Sequence, residues 1–224
     1  MKKHVLLFSI LGLITACSGL PKVHPHKTTP PAKLQRDCGQ LFPQGKWQFV
    51  HSIEAAMPEG QKGMLLGVTR ISSVDQTIQT VIMTIEGMVL FDARYDRQLV
   101  INRSVRPFDS GDMAGGLIKD IQLIFFRPPG PLVASGTLAN GTAACRYQNP
   151  GQQVLDIIKH SDHRWELQLY NQGHKKIRTV EMFFSSDEIK PAPLHVPNRL
   201  KLTFHGYPGY TLDMSLLEAI TLSP

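Results

Sequence analysis

The sequence predicts a mainly β domain: an antiparallel sheet with a helix laid against its concave or open face. Three observations carry this expectation. From Trp47 onward, short segments of period two are separated by Gly, Pro, Asn and Asp, the pattern of antiparallel strands with one wet face. A single stretch, Met113 to Phe126, places its apolar residues at helical spacing instead. Finally, the chain has 224 residues, enough after removal of an N-terminal signal for one all-β domain with its own core.

The first element is not part of that domain. Lys2, Lys3 and His4 form a positive start, an apolar run extends from Val5 to Ile14 with only Ser9 and Gly12 interrupting it, and Thr15-Ala16-Cys17 follows. Charged start, apolar run and small residues make a secretory signal over residues 1–16. The run is too short to span a bilayer as a helix. Leu13 to Cys17 resembles the lipobox of bacterial lipoproteins, and that resemblance implies Cys17 as the site of lipidation; an ordinary secreted protein whose cysteine happens to follow the signal is the alternative. Acyl chains on that cysteine, at roughly 0.8 kcal/mol per buried methylene, would hold the mature protein on a membrane without spanning it.

Residues 17–37 are expected to be the acylated cysteine and an extended tether, because Pro21, Pro25, Pro30 and Pro31 fall among polar residues there. His24 and His26 can touch one metal ion, but no further ligand accompanies them, and a solvated linker is the plainer reading. The folded domain is assigned to residues 38–224. Its two remaining cysteines, Cys38 and Cys145, are a candidate disulfide in an oxidising compartment, pinning the start of the domain to a distant loop. Two buried free thiols are the alternative.

Within the domain, Thr77 to Ile85 is β-branched and apolar on both faces, as expected of a strand covered on its second side. Met88 to Tyr95 and Gln98 to Asn102 continue it as a meander. The 113–126 helix has Ser110 or Asp112 to cap it and Pro128-Pro129 to stop it. Met113, Leu117, Ile118, Ile121, Ile124 and Phe125 form its stripe, with Lys119, Asp120 and Gln122 expected on the opposite, polar side. Further on, Trp165, Leu167 and Leu169 alternate with polar residues, and Asn171-Gln172-Gly173 turns the chain towards Ile177 to Phe184. Leu200, Leu202 and Phe204 then pair with Tyr210, Leu212, Met214 and Leu216 through the turn Gly206-Tyr207-Pro208-Gly209, a terminal hairpin.

Composition limits the functions available. Formal charge is +6, and loss of Lys2 and Lys3 with the signal leaves about +4. Arg94, Arg97, Arg103 and Arg106 concentrate near two predicted strands, favouring anionic headgroups, phosphate or acidic partners, or forming a solvated face. No nucleic-acid-binding signature is present. Gly-x-Ser-x-Gly, His-Glu-x-x-His, a glycine-rich phosphate loop and Cys-x-x-Cys are all absent from the sequence. His160-Ser161-Asp162-His163 offers two metal ligands or a base beside a carboxylate, but a polar turn between strands explains it more simply. The chain is therefore expected not to be an enzyme, and to need no metal or cofactor.

Four stretches resemble the LolA/LolB superfamily. Leu13-Ile14-Thr15-Ala16-Cys17 resembles a bacterial lipobox, with Ser18 in place of the Asp that retains lipoproteins in the inner membrane. The meander from Met64 to Asn102, the helix Leu117 to Pro128, and the hairpin Arg199 to Phe204 with Gly209 to Leu212 follow the superfamily's order of elements. In detail, the last two are similar to an uncharacterised family of LolB-like lipoproteins often encoded beside aryl-polyene lipid biosynthesis genes. The resemblance implies a curved antiparallel incomplete barrel with one or a few helices over its concave face. It also implies anchoring to the periplasmic face of a Gram-negative outer membrane, and a cavity that takes acyl chains or a lipid-linked apolar group for delivery there. Partners implied are a lipid or acylated cargo and a periplasmic carrier protein.

Transfer of an acyl chain between apolar surfaces needs walls and no catalytic group. Candidate walls are Ile78, Ile82, Leu90, Val100, Leu117, Ile121 and Phe125, each of which equally suits a packed core. Arg94 and Arg103 are the candidate headgroup contacts. LolB uses an exposed leucine on a protruding loop, and Met64-Leu65-Leu66 between Gly63 and Gly67 is the nearest local counterpart, although it also reads as a buried strand. The second expectation is a non-catalytic envelope scaffold that carries no lipid; a filled barrel with an outer apolar patch would favour it.

Overall fold

A computed structural model describes residues 19–25, 31–57, 60, 62–185, 196–207 and 209–223. Cys17 and the signal, His26, and Pro208 of the last turn lie outside the described residues. Twelve strands form one sheet: β1 (Lys46–Ala56), β2 (Lys62–Ser72), β3 (Thr77–Thr84), β4 (Val89–Asp96), β5 (Gln98–Ser104), β6 (Leu132–Thr137), β7 (Ala143–Gln148), β8 (Val154–Ser161), β9 (Arg164–Tyr170), β10 (Lys176–Phe183), β11 (Arg199–Phe204) and β12 (Tyr210–Leu222). Two helices, α1 (Pro31–Gln40) and α2 (Gly111–Phe125), complete the described structure.

Every neighbouring pair is antiparallel, and the order is β5-β4-β3-β2-β1-β12-β11-β10-β9-β8-β7-β6. First and last strands therefore meet in the middle, while β5 and β6 remain as edges and the sheet does not close into a barrel. The predicted meander (β2 to β5) and the terminal hairpin (β11 and β12) are both present. Period-two burial follows the alternation read from the sequence: in β1, Trp47, Phe49, His51, Ile53 and Ala55 point inward, and their neighbours are less buried.

The two edges are consecutive in sequence only through α2. The chain leaves β5, crosses the hollow of the sheet as a helix and begins β6 at the far edge. Ser110 caps α2 by accepting a hydrogen bond from the Met113 amide at 3.2 Å, one of the two caps expected. The sheet wraps the helix, so Ile118, Ile121, Ile124 and Phe125 share one core with Phe49, Ile157, Leu167, Val180 and Leu202 from both halves of the sheet. Asp120, expected on the polar side, is 2% exposed. A helix lying inside a curved sheet is contacted on both flanks, so its polar side is not a solvent side.

The start of the domain differs from the sequence reading. Helix α1 runs across the expected boundary between tether and domain, and it buries Leu34 and Cys38, with Leu41 buried just after its end. Cys38 is bonded to Cys145. Cys145 lies on β7, not in a loop, so the disulfide fastens α1 over the β6–β7 end of the sheet. Ahead of it, His24 pairs with Thr137 by two backbone hydrogen bonds of 2.8 Å, and the Pro21 carbonyl accepts from Arg146 at 2.7 Å. Part of the tether is thus laid on the domain and caps the β6 edge.

Candidate functional site

Helix α2 divides the hollow of the sheet into two spaces. The first is an apolar cavity of about 240 Å³ between α2 and the strands β1 to β3, β11 and β12. The helix contributes Met113, Leu117, Asp120, Ile121 and Ile124 to it; the sheet contributes His51, Ile53, Leu65, Ile82, Leu202 and Met214, among others. Its lining reaches the end of the sheet where Ala56 pairs with Lys62 and Thr211, and there Lys62, Gly63 and Pro107 are exposed. Phe49 stacks on both Trp47 (5.7 Å between ring centres) and Phe125 (4.7 Å), and all three rings lie in the packed core beside the cavity and not in its lining. An apolar lining with an exposed rim at one end gives it the shape of a sleeve.

Space exists on this side because a small residue sits where the inward row requires a side chain. Gly67 lies between His51 and Ile82 in register, and a Cβ there would come within 2.8 Å of Ile53 Cδ1. A larger residue at position 67 requires the Ile53 side chain, which also lines the cavity, to shift.

Polar groups interrupt the apolar wall: the hydroxyls of Thr69 and Thr80, hydrogen-bonded to each other at 3.1 Å, and Asp120, Tyr210 and His51. Asp120 accepts hydrogen bonds from Arg178 Nε on β10 and from the Tyr210 hydroxyl on β12. Burial pushes the Asp120 carboxyl up, an effect that the charge of Arg178 and the two hydrogen bonds oppose without cancelling. Burial likewise pushes the Tyr210 phenol up, reinforced by the carboxylate beside it. His51 is held between Phe49 and Phe125 (6.2 and 6.3 Å between ring centres) and is 5% exposed. Burial lowers its pKa from 6.5 to about 4, so the ring in the cavity wall is neutral at pH 7.

The second space is a larger groove of about 720 Å³ on the other flank of α2. Gly115 and Gly116 leave the helix surface low on this side, and Leu155, Leu169, Ile177 and Phe204 form the facing wall. Lys119, Arg127 and Arg178 bring positive charge to it, and Asp112 is the one carboxylate among its described lining residues.

Of the seven candidate wall residues, Ile82, Leu90, Leu117 and Ile121 line the apolar cavity. Ile78 and Phe125 lie in the packed core beside it. Val100 is 46% exposed on the edge strand β5 and lines neither space. Arg94 and Arg103 are exposed on the sheet face opposite the buried Phe91 and Ala93, away from the cavity mouth. Leu65 of the Met64-Leu65-Leu66 tripeptide faces the cavity from β2, and Met64 is exposed. His160 and His163 flank the turn between β8 and β9, where His160 pairs with Glu166 at 2.8 Å. Among the described residues, no group of three or more His, Cys, Asp or Glu is placed to hold a metal, and no helix is long and apolar enough to cross a membrane.

Sequence reading missed His51, Asp120, Arg178 and Tyr210. His51 was legible in principle, since the alternation Trp47, Phe49, His51, Ile53 puts it on the inward face. The Asp120 cluster was not, because its members are 58 and 90 residues apart.

No protein-family model matches the chain, and no curated protein sequence matches it significantly. Solved structures do. A LolA superfamily protein from Nitrosomonas europaea aligns with 88% of this chain and 95% of its own, with a TM-score of 0.56 and 11% identity. A DUF1329 family protein from Desulfovibrio piger aligns over 87% and 96%, with a TM-score of 0.47 and 12% identity. The open twelve-stranded antiparallel sheet with its helices has the fold of the LolA superfamily.

Proposed function

We propose that this chain binds an acyl chain, or an apolar group of similar cross-section, in the cavity between α2 and β1 to β3. The observation that carries the reading is the apolar sleeve between α2 and the sheet, lined by Ile53, Leu65, Ile82, Leu117 and Ile121 and open at one exposed rim. Burying a methylene run there recovers about the same free energy as burial in lipid, so the cargo can leave one bilayer and enter another without a large barrier. Its volume lies just below the ~300–1,000 Å³ usual for small-molecule sites, which suits a single chain and not the several chains of a whole lipoprotein anchor. The likeness in fold to a LolA superfamily protein supports a carrier, as does the absence of catalytic motifs from the sequence.

In this reading Cys17 carries the lipid that anchors the protein to the outer membrane, facing the periplasm, and a periplasmic carrier or the inner leaflet supplies the cargo. The resemblance to LolB-like lipoproteins associated with aryl-polyene lipid synthesis makes a polyene-bearing lipid one cargo class to look for. The role is binding and delivery, without catalysis. The test is photocrosslinking of the full chain in membranes with a diazirine-bearing fatty acid, with the adducts mapped by peptide mass spectrometry and native lipids extracted in parallel. Adducts on Met113, Leu117 or Leu65 are expected, and a bulky Leu117→Trp variant should lose them. Labelling confined to the outer surface would overturn the carrier reading and favour the scaffold.

A further inference from the structure

The groove on the second flank of α2 has a different chemistry from the sleeve and is three times its size. Lys119 and Arg127 line it and make no hydrogen bond or ion pair with another described residue. Arg178 joins them from β10: only its Nε is used by Asp120, while its guanidinium lies 4.8 Å over the Phe204 ring, on the groove wall. Lys119 and Arg127 are eight positions apart on and just beyond α2, about 12 Å along a helix axis, so the positive charge runs as a track beside an apolar wall. Asp112, at the N-terminal end of the helix, is the sole opposing carboxylate among the described lining residues.

Charge and wall together specify the ligand. Lys119 and Arg127 are exposed along the rim of the groove without an ion-pair partner among the described residues, and together with Arg178 they favour an anion. Leu155, Leu169 and Phe204 opposite them favour a hydrocarbon. We infer that this groove binds an anionic amphiphile, its phosphate or carboxylate against Lys119 and Arg127 and its chain against β8 to β11. This is a second site beyond the apolar sleeve, and it stands whether or not the sleeve holds an acyl chain.

The test uses the full chain in zwitterionic nanodiscs and two photoprobes of equal length, a diazirine-bearing dodecyl phosphate and the matching dodecanol. The phosphate probe is expected to label the Leu155, Leu169 and Phe204 peptides at least tenfold more than the alcohol. The double variant K119E/R127E should abolish that preference while leaving alcohol labelling of Leu117 and Leu65 unchanged. Equal groove labelling by both probes, or phosphate labelling that survives K119E/R127E, would overturn the inference. Competition separates the sources of the anion: inorganic phosphate alone displaces the probe if the groove reads only the headgroup, and only dodecyl phosphate displaces it if the chain is read as well. The arms remain independent, because labelling of Leu117 and Leu65 reports on the sleeve and labelling of Leu155, Leu169 and Phe204 reports on the groove.

Discussion

Acidification should destabilise this protein through His51, and by an amount that its surroundings set. The ring sits in the cavity wall between Phe49 and Phe125, and burial holds its pKa near 4 against 6.5 in the unfolded chain. Between those values the unfolded state binds a proton that the folded state refuses, so stability rises with pH across this window. The contribution is complete above pH 6.5 and is lost as pH falls to 4. A gap of about 2.5 pH units at 1.36 kcal/mol each is roughly 3 kcal/mol, a large share of the ~5–15 kcal/mol that holds a domain folded. Asp120 works in the opposite direction, because a carboxyl raised by burial favours the folded state at low pH and loses that advantage as pH rises through its window. The assay is therefore a difference: urea unfolding at pH 7, 6, 5 and 4 for the wild type and for His51→Leu, whose volume is similar. The gap between the two should change by about 3 kcal/mol from pH 7 to 4, and the His51 ring signals should titrate near 4 by NMR. Parallel curves, or a ring that titrates near 6.5, would refute the reasoning.

Other perturbations test the scaffold that holds the site. Replacing Cys38 and Cys145 by alanine opens a loop closed across 107 residues, for which chain entropy gives a loss of up to about 4.8 kcal/mol, measurable as a lowered urea midpoint. Asp120→Ala leaves Arg178, 8% exposed, without its partner and should cost roughly 3–5 kcal/mol; Asp120→Asn, which keeps an acceptor for Tyr210, should cost clearly less in the same unfolding assay. Ser110→Ala removes the α2 cap at about 1 kcal/mol, with thermal unfolding as the readout. Gly67→Ala forces Ile53, which lines the sleeve, to shift out of a 2.8 Å contact, and should weaken fatty-acid crosslinking at Leu117 more than it lowers the melting temperature.

Much of this architecture was legible because local pattern and global fold agree. Period-two alternation found the terminal hairpin, and the β-branched run Thr77 to Ile85 marked the meander, although among the described residues the cover expected over its second face is absent: only the Ile78, Thr80 and Ile82 row is buried. The 113–126 periodicity found α2, since Ser110 and Pro128-Pro129 punctuate it. Helix α1 was passed over because four prolines colour the stretch around it, although Leu34, Cys38 and Leu41 already stood at helical spacing. The site was less legible for a physical reason: wall and core draw on the same residues. Ile121 lines the cavity and Phe125, one turn on, is core; only the position of the helix in the hollow separates them. Arg94 and Arg103 are close in sequence to wall residues, but the alternation that puts Phe91 and Ala93 inside turns both arginines out.

The unclosed sheet and the two spaces have one cause. Had β5 and β6 paired, twelve strands would have made a barrel with no edge, and the chain between them would have been an external loop. Instead that connection is α2, carried through the hollow from one edge to the other. The β6 edge is then capped by His24 and the tether, which removes one of the two exposed strands that otherwise invite aggregation. The helix turns Met113, Leu117 and Ile121 to one flank, and Gly115, Gly116 and Lys119 to the other. Apolar sleeve and cationic groove are therefore two sides of a single element. The ion pair from Asp120 to Arg178 passes between them, joining the wall of one to the wall of the other. A substitution that shifts α2 must change both spaces at once, whereas one that alters a side chain on a single flank changes one, and this is what allows the two sites to be tested separately.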